Sequence, residues 1–177
     1  YVNGTWVTTG WASPDIAVIG IATDPTGTWT AYEVGFAAGT ALDIAYGNDV
    51  WVVVGTDGHL ATATDPTGTW TQRTSSFGTS HIFSVAYGDG VWVAVGDNEK
   101  IATATDPTGT WTQRTSAFTS AYLTDVRYGP DGYWVAIAAS SIDGPPLLAT
   151  ATDPTGTWTL QTLPDIDPTA QVHSLRW

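Results

Sequence analysis

One hexapeptide, Asp-Pro-Thr-Gly-Thr-Trp, occurs four times in this chain and constrains its fold more than any other feature. The spacings between copies are 41, 41 and 47 residues, and the copies begin at Asp24, Asp65, Asp106 and Asp153. A second marker, an aromatic residue that opens an apolar run, alternates with the hexapeptide at Trp6, Trp51, Trp92 and Trp134. Self-similarity at such a period indicates several copies of one supersecondary unit stacked on one another.

The third unit contains four short strand signals in succession. Residues 81–87, 91–96, 100–105 and 110–114 are runs rich in β-branched and aromatic residues, and turn residues separate them. Four short strands in a unit of 41 residues are typical of one blade of a β-propeller. We therefore predict an all-β fold, a four-bladed β-propeller of four-stranded antiparallel blades, with strands A to D in chain order.

The hexapeptide predicts a tight corner between strands C and D. Pro presets φ at the second turn position, Asp at the first accepts backbone N–H bonds, and Gly suits the fourth, which is the pattern of a type I turn. The Trp is expected to open strand D and to cover neighbouring strands. We interpret these motif residues as scaffold: Asp24, Trp29, Asp65, Trp70, Asp106, Trp111, Asp153 and Trp158.

The two ends of the chain are predicted to meet inside one blade. Residues 172–177 have the pattern of a strand A, and residues 4–7 have that of a strand B. Joining Trp177 to Tyr1 aligns this region without a gap to residues 126–134, with Tyr1 opposite Gly129. Pairing of this kind closes the ring and leaves no central edge strand; the alternative is a window of a longer repeat array. The single domain, 1–177, then divides into blade 1 (172–177 and 1–33), blade 2 (41–74), blade 3 (81–115) and blade 4 (122–162).

At its corners the chain resembles the Asp-box (bacterial neuraminidase repeat) propellers, whose motif reads Ser-x-Asp-x-Gly-x-Thr-Trp. Thr64, Asp65, Thr69 and Trp70 keep approximate register with that motif, but Gly68 lies one place later than the family's Gly. The longer unit, YGxGxWVAVG followed by IATATDPTGTWTQ, is more similar to tandem propeller repeats of bacteriophage tail and virion proteins. That resemblance covers essentially the whole chain and implies a virion-associated or extracellular module.

Charge and composition argue against several kinds of partner. The chain has 5 basic and 17 acidic residues, a net charge of −12, so it should repel phosphate backbones and anionic lipid surfaces. Because of this charge we expect no nucleic-acid binding. No run approaches the length of a membrane span, so we also expect no membrane insertion. Cysteine is absent and the three His residues lack ligand spacing, so we predict no metal and no cofactor.

Sialidases share the Asp-box, and by that resemblance they need three Arg that grip a carboxylate, a Tyr–Glu pair and an acidic proton donor. The only Glu residues are Glu33 and Glu99. Arg73 and Arg114 fall at the same place in strand D, at the outer rim. We therefore predict no catalytic residues and expect that the chain is not an enzyme.

Strand A carries a polar position that is expected to line the central channel. Alignment of the units places Asp43, Ser84, Asp125 and Ser174 at this position, with Arg127 and Arg176 two residues later on the same strand face. The charges of two Asp and two Arg sum to zero. This balance favours a mutually paired plug; a cation site and a pair of glycosidase carboxylates are the alternatives.

Variable loops at one end of the blades mark the candidate binding face. The A–B and C–D turns are nearly identical, whereas the B–C loops (residues 9–15, 56–59, 97–100 and 138–147) and the D–A loops differ in length and chemistry. Function usually lies on variable loops carried by a rigid scaffold. The candidate ligand-binding residues are Trp11, which only one blade has, Asp15, Asp57, His59, Asp97 and Glu99.

Our leading hypothesis is a non-enzymatic, virion-associated or extracellular propeller that binds a receptor or glycan, or decorates a surface, through this face. Its partners would be a cell-surface glycan or other virion or surface proteins. A purely structural assembly module of a larger particle is the second hypothesis. A glycoside hydrolase that uses the channel carboxylates is the third.

Overall fold

The computed structural model describes residues 1–2, 4–140 and 147–161. Within these ranges the regular structure is β-strand, apart from one three-residue 3-10 turn at Thr56–Gly58. The strands form antiparallel sheets, and each sheet is built from strands that are consecutive in the chain. The predicted all-β class is therefore confirmed.

Each sheet is one blade, and its strands are hydrogen-bonded in chain order. Blade 1 contains β1 (Trp6–Ala12), β2 (Ile16–Ala22) and β3 (Thr30–Glu33). Blade 2 contains β4 (Ala41–Gly47), β5 (Val50–Gly55), β6 (Leu60–Ala63) and β7 (Thr71–Arg73). Blade 3 contains β8 (Ile82–Gly88), β9 (Val91–Gly96), β10 (Ile101–Ala104) and β11 (Thr112–Arg114). Blade 4 contains β12 (Ala121–Tyr128), β13 (Trp134–Ser140), β14 (Leu147–Ala151) and β15 (Thr159–Gln161).

The strands of blade 3 lie close to the runs that the sequence predicts. Strand B begins and ends at the predicted residues. The observed bounds of strands A and C differ from the predicted bounds by one residue at each end. Strand D is shorter than predicted, because Trp111 belongs to the corner and does not open the strand. Its indole Nε1 donates a hydrogen bond to the carbonyl oxygen of Pro107 at 3.2 Å, and the first paired residue is Thr112.

The hydrophobic core lies between blades, in three clusters. One cluster joins blades 1 and 2, one joins blades 2 and 3, and one joins blades 3 and 4. Phe36, Phe77 and Phe118, which follow the corner Trp at a fixed distance, are each buried in one of these clusters. Sheets that pack face to face around small and β-branched residues hold the blades in a fixed arrangement.

Tyr1 occupies the place that a Tyr at the end of strand A takes in the other blades. Its ring centroid lies 4.9 Å from that of Trp6, and the equivalent pair in blade 2, Tyr46 and Trp51, is also 4.9 Å apart. A bridge between Val2 and Thr5 closes the turn, as the pairing of Gly47 with Val50 does in blade 2.

The predicted register of Tyr1 opposite Gly129 is therefore wrong by one residue. The alignment used blade 4, in which six positions separate Tyr128 from its Trp134 partner, whereas five separate Tyr1 from Trp6. The A–B turn of blade 4 is longer by one residue, and blade 1 follows blades 2 and 3. The predicted strand A at 172–177, and with it the closure of the ring, lies outside the described residues and stays a prediction.

Candidate functional site

The four corners have the same local geometry. At each corner the Gly N–H donates to the Asp carbonyl oxygen at 3.0 to 3.1 Å, which is the main-chain bond of the predicted turn. The Asp Oδ1 accepts bonds from the backbone N–H and the hydroxyl of the Thr two residues later, at 2.8 to 2.9 Å for Asp24. The Trp Nε1 donates to the Pro carbonyl oxygen, at 3.3 Å for Trp29 and 3.2 Å for Trp70.

These bonds lower the pKa of the corner carboxylates. For Asp24 and Asp65 the backbone N–H of the following Thr is the largest cause, and its hydroxyl is the second. For Asp106 and Asp153 the hydroxyl comes first, and an Arg of the preceding blade also contributes. A carboxylate that accepts two hydrogen bonds is stabilised in its charged form. The corners therefore consist of ionised, locally satisfied turns, as expected of a scaffold.

The Arg residues of strand D lie between blades, at the rim. Arg73 Nε donates to Thr62 Oγ1 at 3.0 Å, and Arg114 Nε donates to Thr103 Oγ1 at 2.7 Å. An open groove of about 400 Å³ beside Arg73 is bordered by the corner of blade 3, including Trp111. Neither Arg is part of the central cluster described next, so the rim does not supply the Arg triad of a sialidase.

Asp43, Ser84, Asp125 and Arg127 form the central cluster, which joins the innermost strands of three blades. Ser84 Oγ lies 2.8 Å from Asp43 Oδ2 and 2.9 Å from Asp125 Oδ1. Arg127 Nη1 lies 2.7 Å from Asp125 Oδ1 and 3.4 Å from Asp43 Oδ2, and it donates to Ser84 Oγ at 2.9 Å. The structure thus brings these four predicted residues together, whereas Ser174 and Arg176 lie outside the described residues.

Backbone irregularities place the cluster. In blades 2, 3 and 4 strand A has a register shift just before its polar residue, between Ala41 and Asp43, Ile82 and Ser84, and Leu123 and Asp125. A bulge of this kind re-aims the next side chain and is common next to functional or tightly packed sites. Because of the shift, the backbone N–H of Val85 reaches Asp43 Oδ2 at 3.0 Å, across the boundary between blades.

Desolvation raises the pKa of Asp43, while the Arg127 guanidinium and the bonds from Val85 and Ser84 oppose the rise. Ser84 Oγ and Arg127 Nη1 lie in the space between the two carboxylates, and each contacts both of them. A glycosidase needs that space for a water molecule or a sugar, with the two carboxyl groups on opposite sides of it. The arrangement therefore has the geometry of a paired plug that links blades 2, 3 and 4.

The candidate ligand residues Trp11 and Asp15 lie on a hairpin of blade 1. The predicted loop at residues 9–15 is too long, because β1 continues to Ala12 and Trp11 pairs with Ala17 in β2. Trp11 therefore stands near the tip of an extended hairpin, and 62% of its surface is exposed. Asp15 lies in the turn, where its carbonyl oxygen accepts a bond from Gly39 N at 3.0 Å.

The other four candidate residues make contacts within the scaffold. Asp97 Oδ2 accepts a bond from His81 N at 3.0 Å, and Glu99 Oε1 accepts one from Ala121 N at 3.0 Å. The His59 ring stacks on Phe36, with centroids 4.9 Å apart, and its Nδ1 lies 2.7 Å from Gln72 Nε2. The Asp57 backbone N–H donates to His81 Nδ1 at 3.0 Å. The side chains of Asp97, Glu99 and His59 thus connect loops to strands, whereas Asp57 is held through its backbone N–H.

Sequence reasoning missed a shallow depression on the same face. It has a volume of about 260 Å³ and is lined by Asn98, Glu99, Ser120, Ala121 and Tyr122. The Tyr122 side chain is exposed at its edge. The signal available in the sequence was an aromatic residue at the start of β12, where blades 2 and 3 have Thr40 and His81.

The described part of the chain contains no group of three or more His, Cys, Asp or Glu side chains placed to hold a metal ion. Nor does it contain a helix that is long and apolar enough to cross a membrane.

Blades of consecutive antiparallel strands, packed face to face around a central polar cluster, define the β-propeller class. Two solved β-propellers are similar to this chain in fold. "YCF48 bound to D1 peptide" has a TM-score of 0.62 at 18% sequence identity, over 88% of this chain and 51% of that one. YCF48 from Cyanidioschyzon merolae has a TM-score of 0.59 at 14% identity, over 92% of this chain and 58% of that one.

The comparisons with solved structures show similarity of fold and no more than that. This chain spans about half the length of the two propellers that it resembles. No protein-family model matches the sequence, and no curated protein matches it. The resemblance to Asp-box and phage repeats therefore stays a prediction from the motifs, because a shared propeller fold is compatible with many functions.

Proposed function

We propose that this propeller is a non-enzymatic binding module whose partner site lies on the variable loop face. Trp11 is the observation that carries the proposal. Among the described residues its indole is the most exposed of the large hydrophobic side chains after Tyr1, and it stands on a hairpin that extends further than those of blades 2 and 3. Trp is enriched among the residues that contribute most of the binding energy at interfaces.

The absence of enzymatic activity is part of the proposal, and the central cluster supports it. Asp43 and Asp125 are both held by Ser84 and Arg127, and the Asp125 side chain is only 3% exposed. A general acid and a nucleophile must both reach the substrate. The cluster is better suited to fixing the angle between blades, and the rigid scaffold then presents the loops.

The first candidate partner is a basic segment of another protein. The chain carries a net charge of −12, which favours association with a cationic surface. YCF48, similar in fold, has been solved bound to a D1 peptide. A virion or the outside of a cell is the proposed location, on the strength of the repeat's resemblance to phage proteins.

The second candidate partner is a cell-surface glycan, and Trp11 favours it as well. An exposed indole offers a flat apolar face to a sugar ring, and the Asp15 carboxylate nearby in sequence can accept bonds from sugar hydroxyls. A purely structural module, which docks by one face to a larger particle, is the alternative to both.

Peptide and glycan arrays probed with the wild-type chain and with Trp11→Ala test the proposal. We expect binding to one array and a loss of about tenfold or more in affinity for Trp11→Ala, as for an interface hot spot. Trp29→Ala, compared with the wild type in dilute and monomeric protein, is the matched control, because it removes an exposed Trp from the repetitive corners and should leave affinity unchanged. Absence of binding to either array, together with recovery as a stoichiometric part of purified particles, would instead favour the assembly module.

A further inference from the structure

The side of each blade that meets the preceding blade, its leading face, carries two Trp residues. One opens strand B and the other closes the corner. In blades 2, 3 and 4 all six of these Trp side chains are at most 8% exposed, because the preceding blade covers them. In blade 1 the equivalent residues Trp6 and Trp29 are 39% and 40% exposed.

Trp6, Thr8, Gly20 and Trp29 form one continuous leading face on blade 1. A Cβ atom placed on Gly20 would lie 2.9 Å from Thr8 Cγ2 and 3.5 Å from Trp29 Cε3, so these groups are neighbours. The positions of Thr8 and Gly20 are taken in blade 3 by Ala94 and Ala102, which are fully buried. Blade 1 thus has an interface of the same design as the internal ones, and none of the described blades lies upon it.

The opposite side of blade 4, its trailing face, is also incompletely covered. Val135, Leu148 and Thr150 remain partly exposed there. Their counterparts in blade 3 are fully buried beneath blade 4: Val93, Ile101 and Thr103. The two end faces are complementary, since each internal interface of this chain joins a trailing face to a leading face.

We propose that the trailing face of blade 4 packs on the leading face of blade 1 in a second copy of this chain, so that two copies complete one ring. Blade 4 of the same chain leaves Trp6 and Trp29 exposed. Among the described strands, the main contacts between blades join blades 1 and 2, 2 and 3, and 3 and 4.

The fold comparison supports a pair of copies. The fold of this chain matches about half the length of each of two longer propellers, so two copies together have about the length of one of them. A head-to-tail contact closes into a ring when the rotation between copies permits it, and for two copies that rotation is a half turn. This surface is separate from the proposed partner site, so either proposal can fail without the other.

Light scattering coupled to size-exclusion chromatography tests the proposal over a range of concentrations. We expect a species of twice the 18.6 kDa of one chain. Trp29→Glu and Val135→Glu each place a charge in the interface and should reduce the mass to that of one chain. Trp11→Glu places the same charge on an exposed Trp outside both end faces and should leave the dimer intact.

A mixture of the two interface variants distinguishes a disrupted interface from a variant that fails to fold. In a mixed pair one interface carries both substitutions and the other carries neither, so an equimolar mixture should regain a dimer, weaker than that of the wild type. A wild-type chain that stays monomeric at every concentration overturns the proposal in favour of closure within one chain. So does an oligomer that survives both Trp29→Glu and Val135→Glu.

Discussion

The corner of blade 1 and the corner of blade 3 have the same six residues and the same hydrogen bonds, but their Trp side chains differ in burial. Trp111 packs between blades 2 and 3, whereas Trp29 faces outward with no blade against it. The hexapeptide therefore determines the turn, and the neighbouring blade determines what the Trp contributes to stability. Two kinds of substitution separate these local and non-local effects.

The largest expected effect is the loss of a corner Trp. Trp111→Ala should lower the free energy of unfolding by about 3–5 kcal/mol, as for other large-to-small changes in a packed core. Trp29→Ala should cost less than half as much, because less apolar surface is buried there. Urea unfolding followed by circular dichroism, with dilute and monomeric protein, gives both values. An equal loss of unfolding free energy in the two variants would show that Trp29 and Trp111 do not differ in burial.

Replacement of the corner Asp should lower the stability less than replacement of Trp111, and by the same amount at both corners. Asp24→Ala and Asp106→Ala remove the same bonds to the Thr two residues later, and those bonds lie within the turn. The folded pKa of each Asp is lowered below 3.8. The stabilisation is therefore present at neutral pH and is lost as the pH falls through the folded pKa.

Thermal unfolding across pH checks this prediction. The difference in Tm between wild type and each variant should be the same at the two corners near pH 7 and should shrink in acid. A markedly larger loss for Asp106→Ala would mean that Arg73, which also lowers the pKa of Asp106, contributes more than the turn does.

The sequence predicts the features that repeat. The hexapeptide locates the corners, and alignment of the repeated units locates the strands of blade 3 and the polar position of strand A. It does not predict the bulges before Asp43, Ser84 and Asp125, because these depend on how neighbouring strands pair. It also misplaces Tyr1 by one residue, since the alignment relied on the one blade whose A–B turn is longer.

The candidate binding residues were harder to predict than the fold. Asp97 and Glu99 look like free carboxylates in the sequence, but each accepts a backbone bond from the start of a strand A. Trp11 looks like a loop residue, but it lies in a strand because β1 and β2 remain paired up to Ala12 and Ile16. Such roles depend on loop geometry, which turn residues alone do not determine.

Oxidation of individual Trp side chains by hydroxyl radicals, read by mass spectrometry at low and high protein concentration, tests the central claim most directly. That claim is that blade 1 presents an interface which only another blade covers. We predict that Trp11 is oxidised at both concentrations and Trp111 at neither, while Trp29 is oxidised in dilute protein and protected in concentrated protein. Protection of Trp29 at every dilution would contradict the claim, because the ring would then be closed within a single chain.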